Sequence, residues 1–333
     1  MDSSYARSYI FIQYDNSGIF SAGSEVTGRV IFHVKDEDLT AKSLAISIIG
    51  QAKSYFYKTS GTHEGLVHIK TVPLFRSTEC TYIDEKATLW SSGSQSKELI
   101  PLGEYTYPFR FQLPPHCATT FNGKYGHICY SCTLICGAAI GGQIWDCRPQ
   151  KEFTVLPVMD LNSTESVKLS KVIRTPSVGY LRVKDINVRA QMNKRGFIPG
   201  EIIELQFDIQ NGGEDTILKI EAAFIKRITF SGYLGRKSVP PDHLNTQFSK
   251  AKSETFTLEQ FGETLDVAPG CRNQWKKSIQ VPMDTIACIR SPVIWISYEI
   301  KTEIHVSNWK RGVRVGFPMT IGTVPITLAA NDT

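Results

Sequence analysis

The sequence predicts an all-β protein made of two tandem antiparallel Ig-like β-sandwiches, and three observations lead to this fold class. First, residues 203–210 alternate apolar and polar side chains, the period of a half-buried strand. Second, this strand follows the turn Phe197-x-Pro199-Gly200, in which proline fixes φ and glycine supplies a positive φ; a similar turn occurs at Phe20-x-x-Gly23. Third, no apolar period of 3.6 residues persists over about a dozen positions.

A turn, a strand that ends in proline and a strand with Ile-x-Tyr occur twice in the same order. The matched pairs, 177 residues apart for the turn and 168 for the strands, are Phe20 with Phe197, Gly23 with Gly200, Pro114 with Pro282, and Tyr130 with Tyr298. Such a repeat indicates two copies of one domain. We predict an N-terminal domain at 1–158, a polar linker at 159–171 and a C-terminal domain at 172–328.

The strands of the first domain follow from alternation between turn residues. In order, they are predicted at 7–14, 26–34, 43–57, 105–113, 125–135 and 144–155. Gly50 interrupts the third of these strands and predicts a bulge or bend. Residues 58–100 alternate less regularly, and the serine-rich stretch 91–96 is predicted to be a flexible tip.

The second domain shows the same kind of pattern. Its strands are predicted at 203–210, 216–230, 275–281, 293–306 and 309–315, with a further strand around Thr255 and Thr257 and a polar loop at 239–243. In the stretch 309–315, Lys310 and Arg314 have the same parity. They are therefore expected to share one face of a strand.

Length, composition and charge narrow the class of protein. A chain of 333 residues is long enough for two domains of about 150 residues each. With 41% hydrophobic and 21% charged residues, the chain is not generally disordered. Residues 1–171 contain 16 basic and 16 acidic side chains, whereas 172–333 contain 21 and 16. This excess is too small for a nucleic-acid partner, and it places any electrostatic docking in the second domain.

The expected compartment is the cytosol. No apolar stretch reaches the roughly 18 residues of a membrane-spanning helix, and the apolar run near the N-terminus is too short for a signal peptide. The eight cysteines are therefore expected to be reduced thiols. The glycosylation pattern Asn162-Ser-Thr164 is expected to be unused.

Two clusters resemble metal sites but have the wrong spacing. His63 and His68 are five residues apart, whereas two zinc ligands on one helical face are four apart. On a strand, Cys129 and Cys132 point to opposite faces, and Cys132 and Cys136 lie about 13 Å apart at ~3.3 Å per residue. Small buried or half-buried residues in a sheet are the favoured interpretation. The chain also lacks a Gly-x-Ser-x-Gly elbow and a glycine-rich phosphate loop, so we expect no enzyme, no metal and no cofactor.

Two blocks of residues resemble the arrestin family. Leu102-Gly103-x-x-x-Tyr107-Pro108-Phe109-x-Phe111-x-Leu113-Pro114 and Thr120-Phe121-x-Gly123-x-x-Gly126-x-Ile128-x-Tyr130 are similar to the arrestin N-terminal domain, and Phe197-x-Pro199-Gly200-Glu201, Trp275, Val281-Pro282 and Ile296-x-Tyr298 to the C-terminal domain. The turn and core positions of these motifs are Gly23, Pro114, Phe121, Gly126, Tyr130, Pro199, Gly200, Pro282 and Tyr298. The resemblance covers nearly the whole chain and is closest to the α-arrestins, the arrestin-domain-containing proteins.

This resemblance implies a non-catalytic cytosolic adaptor, peripheral at the plasma membrane or endosomes. Such a protein binds cytosolic tails of membrane proteins in endocytosis, protein transport or receptor signalling. In α-arrestins, a Pro-Pro-x-Tyr segment docks on the WW domains of ubiquitin ligases. The pairs Pro114-Pro115 and Pro240-Pro241 lack that tyrosine, and few residues follow Leu328, so any link to a ligase is expected to be indirect.

Two other classes of protein share this fold type. A retromer-like coat subunit for endosomal sorting is the alternative within binding proteins. An extracellular pair of Ig-like sandwiches would require a signal peptide and disulfides between sheets.

A basic face in the second half is the candidate contact with an anionic surface. Its members are Lys310, Arg314, Arg182 and Lys184. Each basic side chain near an anionic lipid surface contributes about 1 kcal/mol of attraction. An ordinary solvated sheet face, neutralised by carboxylates of neighbouring strands, is the other interpretation. The first predicted strand carries only Arg7, so phosphate sensing of the receptor-arrestin type is not expected.

Overall fold

The computed structural model describes nine stretches of the chain: 8–37, 39–60, 72–93, 96–145, 148–163, 172–174, 186–232, 238–242 and 250–327. They contain many strands and no α-helix. Accordingly, no helix in these stretches is long and apolar enough to cross a membrane. The chain divides into two compact units, namely unit 1 (Met1–Pro157, Phe230–Lys252 and Ser291–Ile294) and unit 2 (Val158–Thr229, Ser253–Arg290 and Trp295–Thr333).

Unit 1 is built from strands β1 to β11. Their bounds are β1 Tyr9–Tyr14, β2 Ile19–Ser21, β3 Glu25–Val34, β4 Thr40–Ser60, β5 Val72–Ser91, β6 Glu98–Leu99, β7 Gly103–Gln112, β8 Phe121–Gly123, β9 Gly126–Ile140, β10 Gln143–Trp145 and β11 Gln150–Leu156. One sheet has the order β1-β3-β7, and the other has the order β2-β11-β9-β4-β5 with β6, β8 and β10 attached. The pairing of β2 with β11 is parallel, whereas the other pairings in these sheets are antiparallel.

The two sheets of unit 1 meet through an aromatic core. Tyr14 of β1 packs edge-on against Phe20 of β2 and Phe153 of β11, with ring centroids 5.8 and 5.6 Å apart. Its hydroxyl donates to the carbonyl of Lys151 at 2.7 Å, so the polar end of the ring is satisfied. These side chains alternate with exposed ones along each strand, which is why the sequence shows period two.

Unit 2 is built from strands β12 to β21, apart from the ends of β16, β17 and β20 that belong to unit 1. Their bounds are β12 Val172–Arg174, β13 Ile186–Met192, β14 Gly196–Phe197, β15 Ile202–Asn211, β16 Ile217–Gly232, β17 Lys250–Val267, β18 Arg272–Gln280, β19 Ile289–Arg290, β20 Ile294–Val306 and β21 Val313–Ile321. The sheets have the orders β12-β13-β15-β18 and β14-β21-β20-β16-β17, with β19 attached to β20. Phe207 of β15 packs against Phe317 of β21 at 6.2 Å, which joins the two sheets.

The strand orders of the two units correspond. One sheet of each unit contains a matching three-strand run, β1-β3-β7 in unit 1 and β13-β15-β18 in unit 2, where β12 is added next to β13. The five-strand runs β2-β11-β9-β4-β5 and β14-β21-β20-β16-β17 also match, and each begins with a short parallel pairing. The predicted fold class of two tandem β-sandwiches is therefore confirmed.

The repeated turn has the same hydrogen bonding in both units. Gly23 and Gly200 adopt φ values of 78° and 89°, a region that strongly favours glycine. Leu113 and Val281 are fully buried, and each donates its backbone N–H at 2.9 Å to the carbonyl of the residue after the turn glycine. The turn is thereby tied to the strand that ends in Leu-Pro or Val-Pro.

The repeated tyrosines also occupy equivalent positions. Tyr130 of β9 and Tyr298 of β20 are 1% and 2% exposed. Their hydroxyls donate to the carbonyls of Ala118 and Ile286, at 2.6 and 2.7 Å, in the loop twelve residues earlier. Each ring therefore fills the core while its hydroxyl holds a loop to the sheet.

Two parts of unit 1 differ from the prediction, and a third agrees with it. The stretch 58–100 was expected to be irregular, but Val72–Ser91 forms the long strand β5. Alternation is weak there because β5 is at the edge of its sheet and most of its C-terminal half is exposed or half-buried. The predicted strand 144–155 is two strands, β10 and β11. At Gly50 the β4–β5 register shifts, which confirms the predicted bulge.

The predicted start of the last strand of unit 2 was wrong. Residues 309–315 were expected to form one strand, but β21 begins at Val313 and Lys310 lies in the turn before it. Asn308 has a φ of 61°, and Gly312 follows Arg311, so this stretch has turn residues at both ends. Lys310 and Arg314 therefore do not share a strand face.

The units do not follow the order of the sequence throughout. Phe230–Lys252 belongs to unit 1, where Phe230 packs edge-on against Tyr125 at 5.7 Å. Of the predicted linker, Leu161–Ser163 forms a single 3-10 turn and Asp160 forms a bridge with Val324. The domain boundaries 1–158 and 172–328 stay a prediction.

Candidate functional site

The turn between β20 and β21 presents two exposed cations. We call Trp309, Lys310 and Arg311 the hairpin tip. Lys310 and Arg311 are exposed, whereas Trp309 is half-buried. Neither cation forms an ion pair with any residue in the described stretches of the chain. The tip therefore offers two positive charges and an indole to solvent.

Asp215 fixes the hairpin tip. Its two carboxylate oxygens accept hydrogen bonds from Trp309 Nε1 at 3.0 Å and from Asn308 Nδ2 at 2.9 Å. The asparagine also adopts the left-handed φ of 61°, which Asn tolerates better than most residues. One carboxylate thus sets both the ring orientation of Trp309 and the backbone that presents Lys310 and Arg311.

The side chain of Asn211 forms a hydrogen bond to the backbone of Asp215. This fully buried side chain donates from Nδ2 to the carbonyls of Asp215 and Val267, both at 2.9 Å. Its Oδ1 accepts the Gly213 N–H at 3.1 Å, so donors and acceptor are all satisfied. Asn211 thus joins the ends of β15 and β17 to the residues just before β16.

The guanidinium group of Arg314 forms an ion pair with a carboxylate. Its Nε and Nη2 lie 3.2 Å from the two oxygens of Glu303, its partner across the strand pair, and the Gly312 N–H donates to the same group at 3.1 Å. Burial alone would raise the pKa of Glu303, but the hydrogen bonds from Arg314 and Gly312 hold it below its usual range. Arg314 is therefore much less available to an external anion than Lys310.

The rest of this sheet face is balanced in charge. His305 Nε2 lies 2.8 Å from Glu221, and Arg227 lies 3.0 Å from Glu299. A shallow depression of about 510 Å³ separates these pairs. For the strand face itself, the solvated and neutralised interpretation fits better than an anionic docking surface, which leaves the hairpin tip as the candidate.

The remaining predicted site residues lie elsewhere. Arg182 and Lys184 are outside the described residues, as are His63 and His68. The turn and core motif residues are in the turns and sheets of the two units; they are Gly23, Pro114, Phe121, Gly126, Tyr130, Pro199, Gly200, Pro282 and Tyr298.

Three residues of the site were not among the predicted contact residues. They are Asn211, Asp215 and Arg311. Asn211-Gly-Gly-Glu-Asp215 is rich in turn residues, and Asn308 and Gly312 frame the tip, so turn chemistry could have indicated both loops. The hydrogen bonds between the two loops join residues more than 90 positions apart, and period-two alternation carries no information about them.

The cysteines of β9 are unsuited to ligation or nucleophilic attack. Cys132 and Cys136 are buried and Cys129 is half-buried. Burial raises the pKa of Cys132 to about 11, so its thiol is protonated at neutral pH. Within the part of the chain that is described, no three His, Cys, Asp or Glu side chains form a group that could hold a metal ion. What the hairpin tip can do chemically is bind an anion without covalent change.

Comparison with protein families gives matches to both halves of the chain. The model "Arrestin (or S-antigen), N-terminal domain" matches residues 10–162, and "Arrestin (or S-antigen), C-terminal domain" matches residues 183–326. The hairpin tip and its Asn211 and Asp215 support lie within the second match. The two matches follow the order of the two sandwiches.

Individual relatives carry the same domain name. "Arrestin domain-containing protein 17" of Caenorhabditis elegans is 23% identical over 316 residues, which are 92% of this chain and 68% of that protein. "Arrestin domain-containing protein 4" of Mus musculus is 23% identical over 319 residues, 93% of this chain and 70% of that protein. "Arrestin domain-containing protein 1" of Mus musculus is 24% identical over 255 residues and is covered over only 52% of its length. This chain belongs to the arrestin family, and its relatives place it with the arrestin-domain-containing proteins of the α-arrestin branch.

Proposed function

We propose that this chain is a non-catalytic cytosolic adaptor for membrane-protein cargo in endocytosis and protein transport, with the hairpin tip resting on the anionic membrane surface. Membership of the arrestin family supports an adaptor role in general, since proteins of this family act as non-catalytic adaptors. The partners in this proposal are the cytosolic tails of membrane proteins at the plasma membrane or endosomes. Nucleic acid is not among them.

One observation supports the membrane contact. Lys310 and Arg311 are exposed beside an indole that Asp215 holds in place, and no described carboxylate neutralises them. Indole rings favour the interface between lipid headgroups and water, and basic side chains are attracted to anionic lipid by about 1 kcal/mol each. A tip with both features fits a weak, reversible contact with the cytosolic leaflet.

Proximity labelling in cells tests the adaptor proposal. A biotin ligase fused to the full chain should label membrane proteins with cytosolic tails more than abundant cytosolic proteins. The variant Lys310→Glu/Arg311→Glu, expressed at the same level, should lose much of that enrichment because reversing both charges repels the anionic surface. Arg314→Gln is the matched control, since this arginine is paired with Glu303.

The result also separates the two parts of the proposal. Enrichment of membrane proteins that is unchanged in the tip variant would retain the adaptor role and reject the tip as its membrane contact. Labelling confined to cytosolic proteins would reject the adaptor role itself.

The link to ubiquitin is proposed to be indirect. Neither Pro-Pro pair carries the tyrosine of the WW-binding motif, so a ligase would be reached through a second protein. Neither the family matches nor the described residues support the retromer-like coat subunit.

A further inference from the structure

Strand β18 is an edge strand of unit 2. In the sheet β12-β13-β15-β18 it pairs with β15 on one side, and no other strand of the described chain pairs with its outer side. Trp275 anchors it, since the indole is 3% exposed and its Nε1 donates to Glu263 at 2.7 Å. The edge is therefore an ordered row of backbone donors and acceptors rather than a frayed segment.

The equivalent edge in unit 1 is blocked by a proline. Strand β7 of unit 1 corresponds to β18 of unit 2. Pro108 of β7 lies opposite Arg29 of β3, and Lys276 of β18 lies opposite Gln206 of β15, so Pro108 and Lys276 occupy equivalent positions. Pro108 and Lys276 are 168 residues apart, the offset of the internal repeat. Proline has no N–H and is tolerated in an edge strand where its nitrogen faces away from the neighbour. At the same position, β18 keeps a backbone donor.

The open edge is positively charged. Lys276 lies on the outer face of the sheet and Lys277 on the opposite face, and both are exposed. Neither ammonium forms an ion pair with a described residue, and that of Lys277 lies 5.6 Å above the ring of Phe261. Arg272, by contrast, is paired with Asp208. The two lysines thus leave one uncompensated charge on each face at the middle of the edge.

We propose that the outer edge of β18 is a docking site for an extended acidic segment of a partner protein, which adds to the sheet as a fifth strand. Addition of a strand supplies main-chain hydrogen bonds, and the side chains that alternate between faces supply specificity. Two consecutive acidic residues in the added strand would point to opposite faces, one toward Lys276 and the next toward Lys277. Cross-strand pairs of opposite charge stabilise such an arrangement.

Lysines at an exposed edge also have a simpler role. They discourage edge-to-edge aggregation, and natural proteins use them in this way. The two roles differ in what a proline at position 276 does. A proline there keeps the edge protected against aggregation, as Pro108 does in β7, but removes the donor that a docked strand needs.

Fluorescence anisotropy with the full chain tests the proposal. The probe is a fluorescein-labelled peptide, Thr-Val-Thr-Glu-Glu-Thr-Val-Thr, and the matched peptide has two lysines in place of the glutamates. The acidic peptide should bind and the lysine peptide should not. Lys276→Pro should weaken binding of the acidic peptide at least tenfold, and Lys276→Glu/Lys277→Glu should do the same without a change in backbone. Lys86→Glu, which reverses the same charge on an exposed lysine of β5 in unit 1, should leave binding unchanged.

Hydrogen exchange locates the contact. Bound acidic peptide should slow amide exchange in Arg272–Gln280 and should leave β7 unaffected. Thermal unfolding checks that each variant is folded. The proposal is overturned if the acidic peptide does not bind, if Lys276→Pro and the double reversal bind it as the parent does, or if protection appears away from β18. Any of these results would mean that Lys276 and Lys277 only protect the edge against aggregation.

Discussion

At Gly200 a single backbone angle determines the turn that leads into β15. Its φ is 89°, and its N–H donates to the carbonyl of Val281 at 2.8 Å. A Cβ built at this position would lie 2.7 Å from the sulfur of Met283. Backbone strain therefore opposes any larger residue, whereas the exposed Met283 side chain can move aside at little cost.

The first prediction concerns this glycine. Gly200→Val should lower the free energy of unfolding of unit 2 by about 1–3 kcal/mol, because a β-branched side chain tolerates positive φ poorly. Urea unfolding followed by tryptophan fluorescence measures the loss. Gly316→Val is the control, since Gly316 lies in β21 without positive φ and a Cβ there meets no atom within 4 Å. Equal losses in both variants would show that the turn has no special requirement for glycine.

Single residues differ in how far the sequence reveals them. Gly200 and Tyr298 could be recognised because each has a counterpart one repeat earlier, at Gly23 and Tyr130. Asp215 also has an aspartate 177 residues earlier, Asp38, but the repeat does not indicate what its side chain binds. Its role comes from hydrogen bonds to Asn308 and Trp309, which are distant in sequence, and side-chain contacts of that range leave no local signal.

Among the elements, strands buried on one face were predicted best. Strand β20 alternates buried and less buried residues over its whole length of 13 residues, and the prediction 293–306 agrees with Ile294–Val306. Strand β5 was missed because an edge strand has less burial to impose alternation. The start of β21 was misplaced because alternation in 309–315 continued through a turn, where Asn308 and Gly312 were the better indicators.

The second prediction concerns the ion pairs on the face formed by β16, β20 and β21. A hydrogen bond from Lys219 lowers the pKa of Glu221, and hydrogen bonds from Arg314 and Gly312 outweigh burial and lower that of Glu303. A carboxyl group whose pKa is lower in the folded state stabilises that state above the pKa of the unfolded chain. This stabilisation is lost as the pH falls through the folded pKa.

The stability of unit 2 should therefore fall between about pH 5 and about pH 3. Urea midpoints at several pH values measure the decrease. In Glu303→Gln the decrease should be smaller, because one of the titrating groups is gone. Glu204→Gln is the control, since Glu204 forms no ion pair with a described residue, and it should behave as the parent does. A decrease of equal size in both variants would exclude a role for the Glu303–Arg314 pair.

At the scale of the whole molecule, the internal repeat predicted two sandwiches but not how the chain is divided between them. Residues 230–252 contain four basic side chains and one acidic side chain, and this segment belongs to unit 1. The basic excess is therefore not confined to unit 2, contrary to what the division of the sequence at residue 171 suggested. Sequence halves were a poor guide here because β16 and β17 extend from one unit into the other.

The third prediction concerns the hairpin tip in the full chain. Vesicles that contain phosphatidylserine should bind the protein weakly, and vesicles of phosphatidylcholine alone should bind it less. Binding should disappear at about 0.5 M salt, where the Debye length is roughly 4 Å. Removal of both tip charges in Lys310→Gln/Arg311→Gln should lower the partition coefficient at least tenfold, since each contributes about 1 kcal/mol near an anionic surface.

Vesicle co-sedimentation of three proteins, the parent, the tip variant and Arg314→Gln, tests the account most directly. Arg314 lies three residues beyond the tip on the same hairpin, but its charge is paired with Glu303. We expect the tip variant to lose binding and Arg314→Gln to keep the binding of the parent within about twofold. If Arg314→Gln loses binding as fully as the tip variant, or if neither variant loses any, the hairpin tip is not the membrane contact of this arrestin-family adaptor.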